Sequence, residues 1–503
     1  MQRNLTIYYT SDTHGYLSPV DYATGKTIPS GLSNCISCFG HDGNTLVIDG
    51  GDTLEGSPLT TFLSSEPRPE SVAAHIMNLG GYNFVTLGNH DFNYGSEELE
   101  RYLRELDATC LCANVEGVRG VEKTALVTLE NGLRVGLTGA VTHFVNLWEK
   151  PEHLVGISIT DAFTALREAL CTLKSMGADI TVCIYHGGFE RDVRTGRLLS
   201  DTDENQGSRI CGELDFDILL AAHQHMPKEN LCLSGTYTCQ PIDRAKQYIR
   251  MDVTECDGKI SAASALLPAG DMQLPAAKEY LAPYESAASR WLDTPVGHLD
   301  VPLLPGDHLE MALNGTLIAN FVNQVQLEAT GADLSATSLD TTVKGFAQDV
   351  TVRDIVSTYV FPNTLKVVSV DRAALKRALE RSAEYFVYAP DGQLAINESF
   401  VYPSEQHFNY DYIAGVHVTF DLRRDMGDRV TSILWHGQEL PDDVQLRICL
   451  NSYRATGTGG YETYAECPVL YSGQDEVVQL IIDYVQRHGN ITVDKTKWLT
   501  VIS

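Results

Sequence analysis

Five times within its first 225 residues this chain runs an apolar, β-branched stretch straight into aspartate, histidine or asparagine flanked by small residues. Ile7–Ser11 leads into Asp12-Thr13-His14-Gly15, and Thr45–Ile48 into Asp49-Gly50-Gly51-Asp52. Phe84–Leu87 leads into Gly88-Asn89-His90-Asp91, Ile180–Tyr185 into His186-Gly187-Gly188, and Asp217–Ala222 into His223-Gln224-His225. Buried-type strands that all end in the same residue classes constrain the fold strongly. They require sheets whose strand ends converge, with glycines letting the chain turn away so that side chains project from one edge. Asp12/His14 and His223/His225 stand at alternate positions, which share one face of an extended chain because strand side chains repeat with period 2.

Carboxylate, imidazole and amide oxygen together suit divalent Mn, Zn, Fe or Co rather than a thiolate site. Asp12, His14, Asp52, Asn89, His186, His223 and His225 are too many donors for one tetrahedral ion and the right number for two. A paired centre needs a bridging carboxylate, and Asp52, behind two glycines, is the candidate. His41, His75, His143 and His153 stand in no such context and read as surface or core histidines.

The motifs Ser11–Gly15, Gly50–Asp52, Gly88–Phe92, His186–Gly188 and Ala222–His225 resemble those of the calcineurin-like metallophosphoesterases, specifically the bacterial 5′-nucleotidase/2′,3′-cyclic-nucleotide 2′-phosphodiesterase family. The resemblance implies a four-layer αββα sandwich followed by a second α/β nucleotide-binding domain. It assigns Asp12, His14 and His225 to one metal and Asn89, His186 and His223 to the other, with Asp52 between. It makes His90 a catalytic imidazole beside the metals, grouped with Asn89, Asp91 and Asn93. Three positions depart from the pattern: Asp91 stands for the usual Glu, Ala222 for a Gly, and Asn93 for the Asp that orients the imidazole in typical 5′-nucleotidases. An amide at position 93 holds a ring but does not favour its cation as a carboxylate does.

At 503 residues the chain exceeds one ordinary core. The alternating strand and helix pattern through residue 270 reads as the catalytic domain, 271–300 as a linker helix, and 301–503 as a specificity domain. Helix-type spacing marks Ser71–Leu79, Ser96–Leu106, Asp161–Met176, Met311–Glu328, Arg372–Tyr385 and Gln474–Arg487. The formal net charge of −29 argues against binding nucleic-acid polymers, which need Lys and Arg to neutralise phosphates, but leaves a small phosphate ester open. The start of the chain shows no apolar leader and no run long enough to span a bilayer, and its twelve cysteines fit a reducing compartment; the expectation is a cytoplasmic protein, exported if a leader has been removed.

In the second half, loop aromatics replace acid–base residues. Phe361-Pro362-Asn363-Thr364 precedes a strand, and Asn451-Ser452-Tyr453-Arg454 follows one and leads to a glycine-rich loop. These segments, with His407–Asp411, resemble the family's C-terminal domain, which implies that Phe361 and Tyr453 stack on a nucleobase while Asn363, Asn451 and Arg454 assist. The Arg-bearing segment of typical 5′-nucleotidases is replaced by Ser335–Asp340, with Lys344 the nearest cation. The expected activity is therefore hydrolysis of 2′,3′-cyclic nucleotides and then 3′-nucleotides by a dinuclear centre. The alternatives are a 5′-nucleotidase, including a UDP-sugar hydrolase, and a nucleotide- or metal-binding protein without catalysis.

Overall fold

The structure is a computed structural model and describes residues 2–65, 70–199, 202–361 and 363–503. Pro362 of the expected Phe361–Thr364 motif lies outside the described residues. The chain divides into two compact units, Met1–Ser289 and Arg290–Ser503.

The first unit is built on two sheets, one of seven strands and one of six. Period-2 burial explains how they pack. Along Gln2–Thr10 the residues Leu5, Ile7 and Tyr9 face the second sheet, meeting Val182 and Ile184 of Ile180–His186 and Leu220 of Ile218–Ala221 in one core. The alternate residues Cys183, Tyr185, Leu219 and Ala221 face outward, where Phe163, Leu166, Leu170 and Leu173 of the Ala162–Ser175 helix cover them. On the far side Tyr8 points away from the sheet–sheet core and stacks on Phe39, ring centroids 5.0 Å apart. Helix, sheet, sheet and helix layers result, the αββα order expected. Asp161 caps its helix by accepting the Thr164 N–H, and Ser71 caps Val72–Leu79 through the Ala74 N–H. Ser96 does not cap: its helix starts one residue earlier, at Gly95.

Gln2–Thr10, Thr45–Asp49 and Phe84–Val85 run parallel in the first sheet, and Arg134–Val141, Ile180–His186 and Ile218–Ala221 run parallel in the second. Parallel strands end together, so each sheet presents its C-terminal strand ends along one edge. Cross-sheet hydrogen bonds join those edges: Tyr9 Oη donates to the Ala221 carbonyl at 3.0 Å, and the His223 N–H to Asp12 Oδ1 at 3.0 Å.

The second unit centres on a five-stranded sheet in which Gln445–Asn451 lies between Leu334–Thr337 and Thr364–Asp371. Its core gathers Leu375, Leu379, Ile448, Phe400 and Tyr410. The single helix expected over Met311–Glu328 is two, His308–Asn314 and Leu317–Thr330. Gly315 takes a left-handed φ of 78°, and the Thr316 side chain accepts the Ile318 N–H, restarting the helix. Residues 474–476, expected to open the last helix, complete the edge strand Val469–Glu476 instead, and that helix is Val477–His488.

Candidate metal centre and nucleotide-facing loops

The seven expected donors of the first unit converge. Asp12, His14 and His225 form one cluster and Asp52, His186 and His223 another, the donor atoms of each within 4.8 Å of one another. His225 Nε2 lies 3.4 Å from Asp12 Oδ1 and 3.0 Å from His14 Nε2. His186 Nε2 lies 3.2 Å from Asn89 Oδ1 and 3.2 Å from Asp52 Oδ2. The same Asp52 Oδ2 stands 3.9 Å from His14 Nε2, so one carboxylate oxygen faces both clusters. Asp12, His14, Asp52, Asn89 and His186 are buried and His223 and His225 partly exposed, and such a set of imidazoles, carboxylates and an amide oxygen with lone pairs aimed at common points fits divalent cations.

The surroundings fix which nitrogen each ring offers. His186 Nδ1 donates to the Gly50 carbonyl at 2.6 Å and His14 Nδ1 to the Glu55 carbonyl at 3.1 Å, leaving both Nε2 lone pairs toward the cluster. Charge coupling among the donors is strong. Burial and the neighbouring imidazoles His225 and His90 push His14 down to about 4. Burial is the largest influence on His186 and His90 and opposes their charge, but their acceptors together outweigh it: Asp52 with Asp12 and the Gly50 carbonyl lifts His186 to about 9, and Asp52 with Glu55 and Asn93 lifts His90 to about 10. Protons on such rings compete with cations for the same lone pairs.

The local backbone differs from the expected extended face. Asp12, His14, Asp52, His223 and His225 have φ of 53°, 49°, 57°, 73° and 55°, five of the eleven non-glycine residues in the left-handed region among the described residues. Their strands end at Thr10, Asp49 and Ala221, and the donors project from strained turns beyond those ends. Strain of this kind persists where surrounding contacts over-determine the backbone, and it collects at functional sites. Gly51 (φ 91°) and Gly88 let two turns touch: a Cβ at Gly51 would meet the Gly88 nitrogen at 2.3 Å, and one at Gly88 would meet Asp52 Oδ1 at 2.1 Å.

His90 sits with His14 and Asp52, its N–H donating to Asp52 Oδ1 at 2.7 Å and its ring edge-on to His14. Asp91, expected among the catalytic residues, faces the other way. Its carboxylate accepts the N–H groups of Asp52, Thr53, Leu54 and Gly88 at 2.8–3.0 Å, so it shapes the turn that carries Asp52 and reaches no donor cluster. Asn93 Oδ1 accepts from His90 Nδ1 at 2.7 Å, as a ring-holding amide does. Its own Nδ2 donates to Glu149 Oε2 at 2.5 Å, and Glu149 Oε1 accepts from His153 Nδ1 at 2.8 Å. His153, read as a plain histidine, is therefore the far end of a hydrogen-bond chain that begins at His90. Sequence reasoning also missed Glu55, whose Oε2 lies 3.1 Å from His90 Nδ1, and Glu204, whose Oε1 lies 3.1 Å from His223 Nε2. Trp148 stacks on the His223 ring. Only Glu55 left a trace in the sequence, three residues after Asp52 in the same turn; the others come from distant loops.

In the second unit the strand register sets Leu365 opposite Asn451, so the Phe361 and Tyr453 loops leave the same end of adjacent strands. Ser452 Oγ ties them, donating to Asn363 Oδ1 at 3.3 Å. Both aromatics are partly exposed, and Phe408 stands 6.1 Å from Phe361, adding a second ring to that wall. Lys344 is exposed on a separate loop. Two expected ligand-binding residues belong to the frame instead. Asn451 Oδ1 caps the Ser452–Ala455 helix by accepting the Arg454 N–H at 2.7 Å. Arg454 is 1 % exposed, and its guanidinium is spent on Asp411 Oδ1 (3.0 Å) and the carbonyls of Phe408 and Thr458. It locks three loops together because a buried cation needs a buried partner. Arg454→Ala strips Asp411 of its counter-charge; calorimetry is expected to show the C-terminal unit destabilised by about 3–5 kcal/mol. An unchanged unfolding profile with weakened nucleotide binding would return Arg454 to the ligand.

Comparison with known proteins agrees with this geometry. Residues 5–227 match the calcineurin-like phosphoesterase family and residues 295–466 the 5′-nucleotidase C-terminal domain. A solved Staphylococcus aureus structure, assigned to the 5′-nucleotidases and holding α-ketoglutarate, is 32 % identical, covers 100 % of both chains and superposes with a TM-score of 0.90. The Haemophilus influenzae 2′,3′-cyclic-nucleotide 2′-phosphodiesterase/3′-nucleotidase is 22 % identical over 98 % of this chain and 87 % of its own. The Vibrio cholerae 5′-nucleotidase is 21 % identical over 98 % of this chain and 92 % of its own. Strand-end donors, two-unit architecture and end-to-end similarity together place the chain in the 5′-nucleotidase/2′,3′-cyclic-nucleotide 2′-phosphodiesterase family, as a metallophosphoesterase that hydrolyses phosphoric esters.

Proposed function

We propose that this enzyme hydrolyses 2′,3′-cyclic nucleotides and then the resulting 3′-nucleotides, at a centre holding two divalent cations. The observation that carries the dinuclear reading is Asp52 Oδ2, shared between the His14 side and the His186 side of the donor set. Asp12, His14 and His225 would hold one ion and Asn89, His186 and His223 the other. Bound ions of this kind acidify water and neutralise phosphoryl oxygens. The protein's own part is positional. His90 stands beside the donors and the Asn89 amide among them, where they stabilise charge developing on a phosphate, and His90 is placed to donate a proton to a departing ribose oxygen. Trp148, lying over His223, limits water at that side.

Base recognition falls to Phe361 and Tyr453, joined by Phe408, where stacking contributes about 1–3 kcal/mol per base. The preference for cyclic and 3′ esters rests on two features. Asn93 replaces the carboxylate typical of 5′-nucleotidases. The segment over Ser335–Asp340 bears no cation, and its Ser335 hydroxyl is turned inward onto Asn323 and Gln326. The test is phosphate release from 2′,3′-cyclic AMP by chelator-stripped protein, before and after Mn²⁺, beside 3′-AMP and 5′-AMP. Phosphate is expected only with metal and at higher kcat/KM from the cyclic and 3′ esters. Preference for 5′-AMP would make the enzyme a 5′-nucleotidase. Metal and nucleotide binding without turnover of any of the three would favour a sensor.

A further inference from the structure

His90 Nδ1 lies between two oxygens, Asn93 Oδ1 at 2.7 Å and Glu55 Oε2 at 3.1 Å. Both are acceptors, because the Asn93 Nδ2 is engaged by Glu149 and the amide is thereby turned with its oxygen to the ring. A ring nitrogen held between two acceptors carries the proton, which leaves Nε2 as the atom presented on the other side. Of the two oxygens only Glu55's bears charge, and at 7 % exposure that charge is weakly screened.

Glu55 is pinned from several directions. The Asp91 carboxylate holds the N–H groups of Asp52, Thr53 and Leu54 just before it. Its own carbonyl takes the His14 Nδ1 proton, and Gly56 (φ 126°) passes so close that a Cβ there would meet the His14 side chain at 2.7 Å. The residue thus serves two rings by separate groups, His14 through the main chain and His90 through the side chain.

We propose that Glu55 is the positioning carboxylate of His90: it takes over, from the turn that carries the bridging Asp52, the charge that position 93 lacks in this chain. Together with Asn93 it holds the ring's tautomer and orientation, and it alone puts a negative charge behind a group acting on phosphate. This rests on phosphoester hydrolysis at the metal centre, not on which nucleotide is preferred.

The test compares Glu55→Gln, and Glu55→Gln combined with Asn93→Asp and Glu149→Gln, in Mn²⁺-loaded enzyme, on whichever of the three AMP esters the parent turns over; the Glu149→Gln exchange gives the new carboxylate at position 93 an amide donor in place of a like charge. Glu55→Gln keeps the main-chain bond to His14, so bound metal should be unchanged. Its kcat should fall about 10–100-fold, as when an outer partner of a catalytic group is lost, with KM within about twofold. Restoring a carboxylate at position 93 should recover most of that kcat. Undiminished kcat in Glu55→Gln, a loss that tracks bound metal, or no recovery in the combined variant would each overturn the proposal. A second reading needs no substrate: ring ¹⁵N spectra of Zn²⁺-loaded protein, with His90 assigned by difference against His90→Ala. They should show a protonated Nδ1 whose signal moves in Glu55→Gln; an unmoved signal counts against Glu55. A parent enzyme inactive on all three esters would defeat the substrate reading, while these spectra still decide the role of Glu55.

Discussion

Asp52→Asn is expected to abolish the enzyme as a metalloprotein as well as a catalyst. The substitution keeps the side chain's shape and an oxygen to accept the His90 N–H at the Oδ1 position, so the turn between Gly51 and Gly88 should survive. It removes the negative charge that faces His186 at 3.2 Å and His14 at 3.9 Å. That charge does most to bring two cations together: Asp12 serves one cluster only, and the imidazoles and the amide bring no charge to offset the repulsion between like ions a few ångströms apart. Burial raises the cost of carboxylate charge here, yet the surrounding imidazoles hold Asp52 well below the usual carboxylate range, so it is ionised and ready for a cation. Bound metal per chain should fall from two, and kcat/KM by at least about three orders of magnitude, the upper range for losing one preorganised electrostatic group. Elemental analysis of the purified variant beside its kinetics checks this. Two ions retained with activity within tenfold of the parent would mean that Asp52 does not bridge.

His90→Ala should separate the two functions that Asp52→Asn removes together. The ring lies among His14 and Asp52, near enough to be mistaken for a donor, but its Nδ1 is committed to Asn93 and Glu55. Metal content is therefore expected to stay at the parent value while kcat falls about 10²–10⁴-fold, the range for a lost general acid. The fall should be smaller for a substrate whose leaving group needs no proton, such as a nitrophenyl ester, because a stable anion departs unaided. Loss of an ion in this variant would make His90 a ligand, and equal losses on both substrate types would make it a charge stabiliser only.

These expectations draw unequally on sequence and structure. The candidate donors were legible because the signal is local: an apolar run followed by Asp, His or Asn beside glycine announces itself within a few residues, and Asp12, His14, Asp52, Asn89, His186, His223 and His225 do meet. The alternating layers were legible for the same reason, since period-2 and helical spacing register inside one element. The break at Gly315-Thr316 was overlooked because the apolar spacing runs on across it, although the capping Thr316 stands in plain view.

Other features depend on where the chain returns. That Asp91 would serve the Asp52 turn is decided between neighbouring strand ends of one sheet, and that Glu149 and His153 would extend the line from His90 by a loop of the other sheet. Arg454 reads in sequence like a ligand-binding residue, but burial against Asp411 makes it a strut, because only packing determines which polar groups lose their water. The sequence alone determined what chemistry the strand ends could support. Tertiary structure decided which groups support it, since tautomer, charge placement and strained turns arise only once distant segments compete for the same few ångströms.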